Sequence, residues 1–220
     1  MSPPLRQVAY DNFKKRLFDR TLTPGLFISQ RELCEVLESP MGAVREALKR
    51  LEAEGLINLL PQRGVQIADV NVRLINEAFQ FRILIELDGA RRVANAQNTA
   101  TLTELADRTE QMRIRAGRGS DADHELMAEG LEVDLDLHQF LVESFRNSLI
   151  QETHQIIQDK VRLIRMNRSF DARRLEKAMG EHLMIIKALM AGDEEAGVRE
   201  LKAHLSTSWR RALGNEELDT

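Results

Sequence analysis

The chain is poor in the residues that staple, anchor or interrupt a fold. Among its 220 residues a single cysteine occurs, Cys34. One thiol excludes a disulfide framework within the chain and fits a reducing, cytoplasmic setting. No apolar run approaches the ~20 residues a membrane-spanning helix needs, and the N-terminus lacks a signal-peptide pattern, so no membrane partner is expected. Aromatic residues make up only 5% of the chain, against 43% hydrophobic and 30% charged residues. That balance allows a packed core under a heavily solvated surface and points to a helical globular protein rather than a disordered one. Proline is absent after Pro61.

The net charge of −4 appears at first to exclude nucleic acid, but it sums two unlike parts. Residues 1–70 hold ten Lys/Arg against nine Asp/Glu, and residues 71–220 hold 21 against 26. Binding DNA needs a local basic face, not a basic whole. Composition therefore leaves that partner open.

The punctuation of the first 70 residues is dense. Apolar positions near helical spacing run from 5 to 22 and stop at Thr23-Pro24-Gly25. Ser29-Gln30-Arg31-Glu32 has the form of a capping box and opens a short helix to about Leu37. Ser39-Pro40 places an N-cap before a proline at the first helical position, and that third helix ends near Glu54-Gly55. Within it Val44, Ala47, Leu48 and Leu51 form an apolar stripe, while Met41, Arg45 and Lys49 recur every four residues on another face, free to point outward. The period then changes to that of strands, 56–60 and 65–67, around a hairpin tip at Pro61-Gln62-Arg63-Gly64. Three short helices and a hairpin make a winged helix-turn-helix.

From Asn71 onward every signal is helical, with candidate helices at 71–96, 101–116, 121–146, 148–167, 170–190 and 193–213. Thr101 to Glu104 has a capping-box spacing, 115–120 has loop composition, and Gly192 stops one helix before Asp193-Glu194-Glu195 start another. The expected fold is mainly α: a winged helix-turn-helix over 1–70 and an all-helical bundle over 71–220.

The first part resembles the N-terminal domain of GntR-family transcription regulators. The resemblance rests on Pro24-Gly25, Arg31-Glu32-Leu33, Val44-Arg45-Glu46-Ala47-Leu48, Arg50 to Leu56 and Arg63-Gly64, in order and at family spacing over 5–68. It implies a recognition helix in the major groove and a wing tip in the minor groove of a palindromic operator, with Arg31, Arg45, Arg63 and Gly64 at DNA-contacting positions. Lys49 shares the outward face. Where many relatives carry Ser-Arg-Thr-Pro, this chain has Pro40-Met41-Gly42-Ala43, so Met41 and Gly42 replace a base-reading arginine and a hydroxyl. An arginine on such a helix can fork to guanine; the alternative for each is a solvated charge paired along its own helix.

Asp134 and His138 lie four apart on one predicted helix face, and His182 and His204 lie on two later helices. One carboxylate and three imidazoles suit Zn²⁺, Ni²⁺, Mn²⁺ or Fe²⁺, although a helical histidine is more often a surface or satisfied core residue. Asp134-Leu-Asp-Leu-His138, Phe145-Arg-Asn147, Glu181-His182 and Ala203-His204 are similar to motifs of the FadR-type effector-binding (FCD) domain. That resemblance implies a divalent metal, zinc first, held by Asp134, His138, His182 and His204. His124 and His154 match no ligand position and are expected to be structural or exposed. Arg82 resembles the arginine of the opening Arg…Leu-Glu motif, and could bind an effector carboxylate or pair with Glu86 one turn along.

The expected function is a homodimeric, ligand-responsive DNA-binding regulator, in the first instance a repressor, of genes for breaking down a small organic or sugar acid. A regulator for which the ion itself is the signal is the alternative. A metalloenzyme is disfavoured, because no Glu precedes any His by three residues and no His-Glu-x-x-His occurs.

Overall fold

A computed structural model describes residues 3–96, 99–119, 124–166 and 171–215. The elements run α1 (Leu5–Phe18), β1 (Phe27–Ile28), α2 (Gln30–Val36), α3 (Met41–Ala53), β2 (Ile57–Leu60), β3 (Gly64–Ile67), α4 (Val72–Ala96), α5 (Thr99–Arg118), α6 (His124–Glu143), α7 (Ser148–Met166), α8 (Ala172–Met190) and α9 (Glu194–Ala212). They fall into two compact units. One comprises Met1–Leu74 with Asp159–Arg168, and the other Ile75–Gln158 with Ser169–Thr220. The C-terminal part of α7 thus belongs to the first unit.

In the first unit α1 ends at Phe18, four residues short of the expected stop. Arg20 takes a left-handed φ of 67°, and the Leu22 amide reaches back 2.8 Å to the Arg16 carbonyl. This closure folds Leu22 into the core. The capping box at α2 forms as expected: Glu32 N donates to Ser29 Oγ at 3.2 Å, and Ser29 N to Glu32 Oε2 at 2.9 Å. Ser39 does not cap α3. Its hydroxyl turns back to the Leu37 carbonyl at 2.9 Å, closing α2, and Pro40 occupies the cap position without a side-chain bond. The apolar stripe of α3 is buried as anticipated, extended by Ala43.

Beyond the expected hairpin, the two-residue β1 adds a third strand in the order β1-β3-β2, with Phe27 opposite Gln66 and Ile28 opposite Val65. Gly64 is explained here. It sits at φ +96°, and a Cβ would stand 2.6 Å from the Ile28 carbonyl oxygen. The close approach that requires glycine is therefore to the chain's own backbone.

In the second unit α5 starts at Thr99, which places Thr101 inside the helix rather than at its cap. Its other end continues through Arg118, so most of the stretch expected as a loop is helical, and Ser120 lies outside the described residues. Asp171 and Asp193 cap α8 and α9 through the amides of Arg174 and Ala196. Two apolar clusters flank the interior of this bundle. Val133 of α6 belongs to one, with Leu175 and Met179 of α8. Leu137 and Leu141 belong to the other, with Ile185, Ile186, Leu201 and Leu205. The inward face of α6 between them carries Asp134 and His138. Gly89 of α4 lets α6 come close, since a Cβ there would stand 2.5 Å from the Leu141 carbonyl oxygen. Among the described residues no helix is long and apolar enough to cross a membrane.

Candidate functional site

The bundle of the second unit brings together four polar side chains that the apolar pattern cannot explain. Asp134, His138, His182 and His204 are all buried, and each offers a ligand atom within 4.8 Å of every other. Asp134 and His138 come from one face of α6, four residues apart. His182 lies three residues before the core residue Ile185 of α8, and His204 immediately before Leu205 of α9. Core packing on those neighbours aims the imidazoles inward.

Two of the three histidines are oriented by carboxylates. His138 Nδ1 lies 2.7 Å from Glu86 Oε2, and His204 Nδ1 lies 2.7 Å from Glu181 Oε2. A proton on each Nδ1 leaves each Nε2 with its lone pair facing the interior. His138 Nε2 is buried with no hydrogen-bond partner, and His204 Nε2 faces His182 Nε2 at 3.2 Å. His182 Nε2 is 3.7 Å from Asp134 Oδ1.

These residues fit a metal ion. Two imidazole nitrogens bound to one ion at about 2.0–2.1 Å stand roughly 2.8–3.4 Å apart for bond angles between right and tetrahedral. Carboxylates that fix the tautomer and raise ligand basicity are the usual outer partners of metal-binding histidine. Burial pushes the His138 imidazole down to about 4, with Glu86 opposing and Arg82 adding to that effect. The ring is therefore neutral, the form that binds metal.

Glu86 is the centre of a second buried constellation. Burial alone would raise its carboxyl, but the guanidinium of Arg82, followed by His138 and the hydrogen bonds from His138 and His154, holds it well below the usual carboxylate range. Arg82 Nε donates to Glu86 Oε1 at 2.7 Å and Nη2 to Oε2 at 3.4 Å. Both side chains are fully buried. The pairing envisaged for Arg82 from its spacing is thus present, and its Nη1 is buried without a hydrogen bond. His154 was not expected at this site. It is 3% exposed, and its Nε2 lies 3.1 Å from Glu86 Oε1. His124 begins α6, and its side chain lies outside the described residues.

The candidate DNA-contacting residues lie on the first unit. Arg31, Gly42, Arg45, Lys49 and Arg63 are exposed, and Gly64 is half-buried at the start of β3. Arg45 Nε donates to Gln30 Oε1 at 3.3 Å, which ties α3 to the start of α2. Lys49 pairs with Glu46 at 2.7 Å. Met41 departs from the outward orientation expected of it: it is half-buried, with its sulfur 3.8 Å from Cys34 Sγ. A thioether has little to gain in water and fills the gap beside Cys34 instead. Gly42 beside it is open, with nothing within 4 Å of a Cβ.

Comparison with known proteins accounts for both units. Residues 5–67 match the family described as bacterial regulatory proteins, gntR family, and residues 77–207 match the FCD domain. The chain belongs to the GntR family, FadR-type, and is a transcriptional regulator built from a helix-turn-helix and an FCD domain. Among curated relatives, the HTH-type transcriptional repressor RspR of Escherichia coli (strain K12) is 27% identical over 203 residues, covering 92% of this chain and 86% of that protein. Among solved structures, E. coli McbR/YncC superposes with a TM-score of 0.77 at 20% identity, over 97% of this chain and 99% of that one. The Zn²⁺-bound FCD domain of TM0439 covers 68% of this chain and 99% of its own, with a TM-score of 0.54 at 20% identity. Likeness at this identity speaks for the fold.

Proposed function

We propose that this regulator responds to a small carboxylate bound beside a divalent metal ion, with zinc first among candidates, and represses genes for the breakdown of an organic or sugar acid. The observation that carries the reading is the buried set of one aspartate and three histidines, two of them oriented through Nδ1 by carboxylates. Asp134, His138, His182 and His204 hold the ion, which supplies a Lewis-acidic centre for an effector carboxylate. A related FCD domain has been solved with zinc bound, and RspR is named a repressor; both support the assignment. Arg82 neutralises Glu86 and directs Nη1 to the effector.

Residues 1–70 form the DNA-binding domain, and residues 71–220 form the effector-binding and dimerisation domain. Arg31, Arg45, Lys49, Arg63 and Gly64 meet the operator, with Gly42 allowing α3 to approach it. Met41 shapes the start of α3 from within. The protein acts as a cytoplasmic homodimer on a palindromic site, where two-fold symmetry in the protein mirrors that of the half-sites. Genome-wide binding of the tagged protein identifies the operator. Its affinity is then measured on zinc-loaded protein across a panel of sugar acids and short carboxylates. A change of at least fivefold with one class of acid is expected; indifference to the whole panel would overturn the effector assignment.

A further inference from the structure

Three residues one turn apart on α3 have three different fates. Met41 turns inward to Cys34, and Lys49 pairs with Glu46 at 2.7 Å. Arg45 stands between them, exposed, and among the described residues no carboxylate pairs with it. Its hydrogen bond runs instead from Nε to Oε1 of Gln30, 3.3 Å away on α2. Gln30 is itself well placed to hold a neighbour. It is the first residue of α2 and half-buried, and the reciprocal bonds between Ser29 and Glu32 fix the backbone on either side of it.

The acceptor in this pair is a neutral carboxamide. A carboxylate in its place would hold the guanidinium at least as firmly, but it would offset the positive charge and repel the phosphate backbone of DNA. A guanidinium also has two edges for a forked contact, one made of Nε with an Nη and one made of the two terminal Nη groups. With Nε committed to Gln30, the terminal edge is the one left over. Two N–H groups on that edge match O6 and N7 of guanine. Holding a long side chain in place before it docks also reduces the rotamer freedom lost on binding.

We infer that Gln30 is a positioning residue for base reading: it holds Arg45 by Nε so that the terminal Nη pair meets a guanine, and it does so without neutralising the guanidinium. Resting on the operator contact proposed above for Arg45, the pair lies wholly within the first unit.

The test uses the full chain and the duplex that the wild-type protein selects from a randomised pool. 7-Deazaguanine, which pairs normally but lacks the N7 acceptor, replaces each guanine of that duplex in turn. Affinities are compared with those for random-sequence DNA. For the wild-type chain a substitution in each half-site is expected to weaken binding by about fivefold or more, and Arg45→Ala should be indifferent to it. Gln30→Ala should lose about two- to tenfold in affinity for the selected duplex and show a smaller penalty at the same guanine. Its affinity for random DNA and its thermal unfolding midpoint should match wild type. Gln30→Glu should do the reverse, keeping the guanine penalty while binding both DNAs more weakly. A full penalty retained by Gln30→Ala overturns the inference. So does an equal loss on selected and random DNA, which marks a phosphate contact or a structural role. Failure of the Arg45 contact itself appears separately, as a wild-type penalty that Arg45→Ala leaves intact or as no penalty at any guanine.

Discussion

The two candidate sites place charge in opposite ways. On the first, Arg31, Arg45, Lys49 and Arg63 are exposed, with surface contacts from Lys49 to Glu46 and from Arg45 to Gln30. In the second, Arg82, Glu86, Asp134, His138, His182 and His204 are buried together. Exposed charge costs little to maintain and remains available to a large anionic partner. Buried charge persists only if every member is compensated, so it marks a site at which something specific must bind or balance. An exposed charge and a buried, mutually compensated one thus call for different tolerance to mutation.

The largest effect expected is for Glu86→Ala. Removing the carboxylate leaves the Arg82 guanidinium buried with its counter-charge gone, which costs about 3–5 kcal/mol. Denaturant unfolding of metal-free protein measures it. A loss below 1 kcal/mol would show that the interior is wetter than its burial implies. Gly64→Ala comes next, at about 1–3 kcal/mol, because it combines a left-handed backbone with the Ile28 carbonyl oxygen 2.6 Å from the new carbon. Arg45→Ala should leave stability within about 0.5 kcal/mol of wild type while weakening operator binding by ~1–3 kcal/mol; footprinting separates the two. A large stability loss in that variant would erase the contrast between the sites. Gly42→Ala is the smallest and of opposite sign: open space in the first turn of α3 and a less flexible unfolded chain predict a gain of about 0.4–1 kcal/mol in thermal unfolding.

A pH experiment sharpens the same contrast on one buried charge of the first unit. Burial raises the Asp159 carboxyl above its ordinary value, and the ammonium of Lys14 offsets this only in part. The folded state then binds the proton more tightly than the unfolded chain does. Stability should fall as pH rises from the unfolded carboxylate value through the raised folded one. Asp159→Asn should flatten that portion of the stability profile; a profile unchanged by the substitution would remove Asp159 as its source.

Local signals were the legible ones. The Ser29–Glu32 capping box, the stripe of α3 and the Asp134–His138 pair each depend on residues three or four apart, a spacing the helix itself converts into geometry. The family motifs extended this to His182 and His204. What escaped depended on partners and backbone turns that helical spacing does not encode. A two-residue β1 exists only because β3 lies beside it. Ser39 closes α2 rather than opening α3, a choice set by the left-handed Glu38 at φ 49°. Met41 turns inward because Cys34 leaves room for it. His154 reaches Glu86 across 68 residues of sequence, and no periodicity in α7 announces that partner.

The proposed function stands on a metal ion held by Asp134, His138, His182 and His204 in the interior of the second unit. Its most direct test is elemental analysis of protein purified without chelator and dialysed against zinc. About one ion per chain is expected for wild type and for Arg45→Ala, and a marked loss for His182→Ala. A folded wild-type chain that emerges empty, or a His182→Ala chain that retains its full zinc, would rule out metal binding by these four residues.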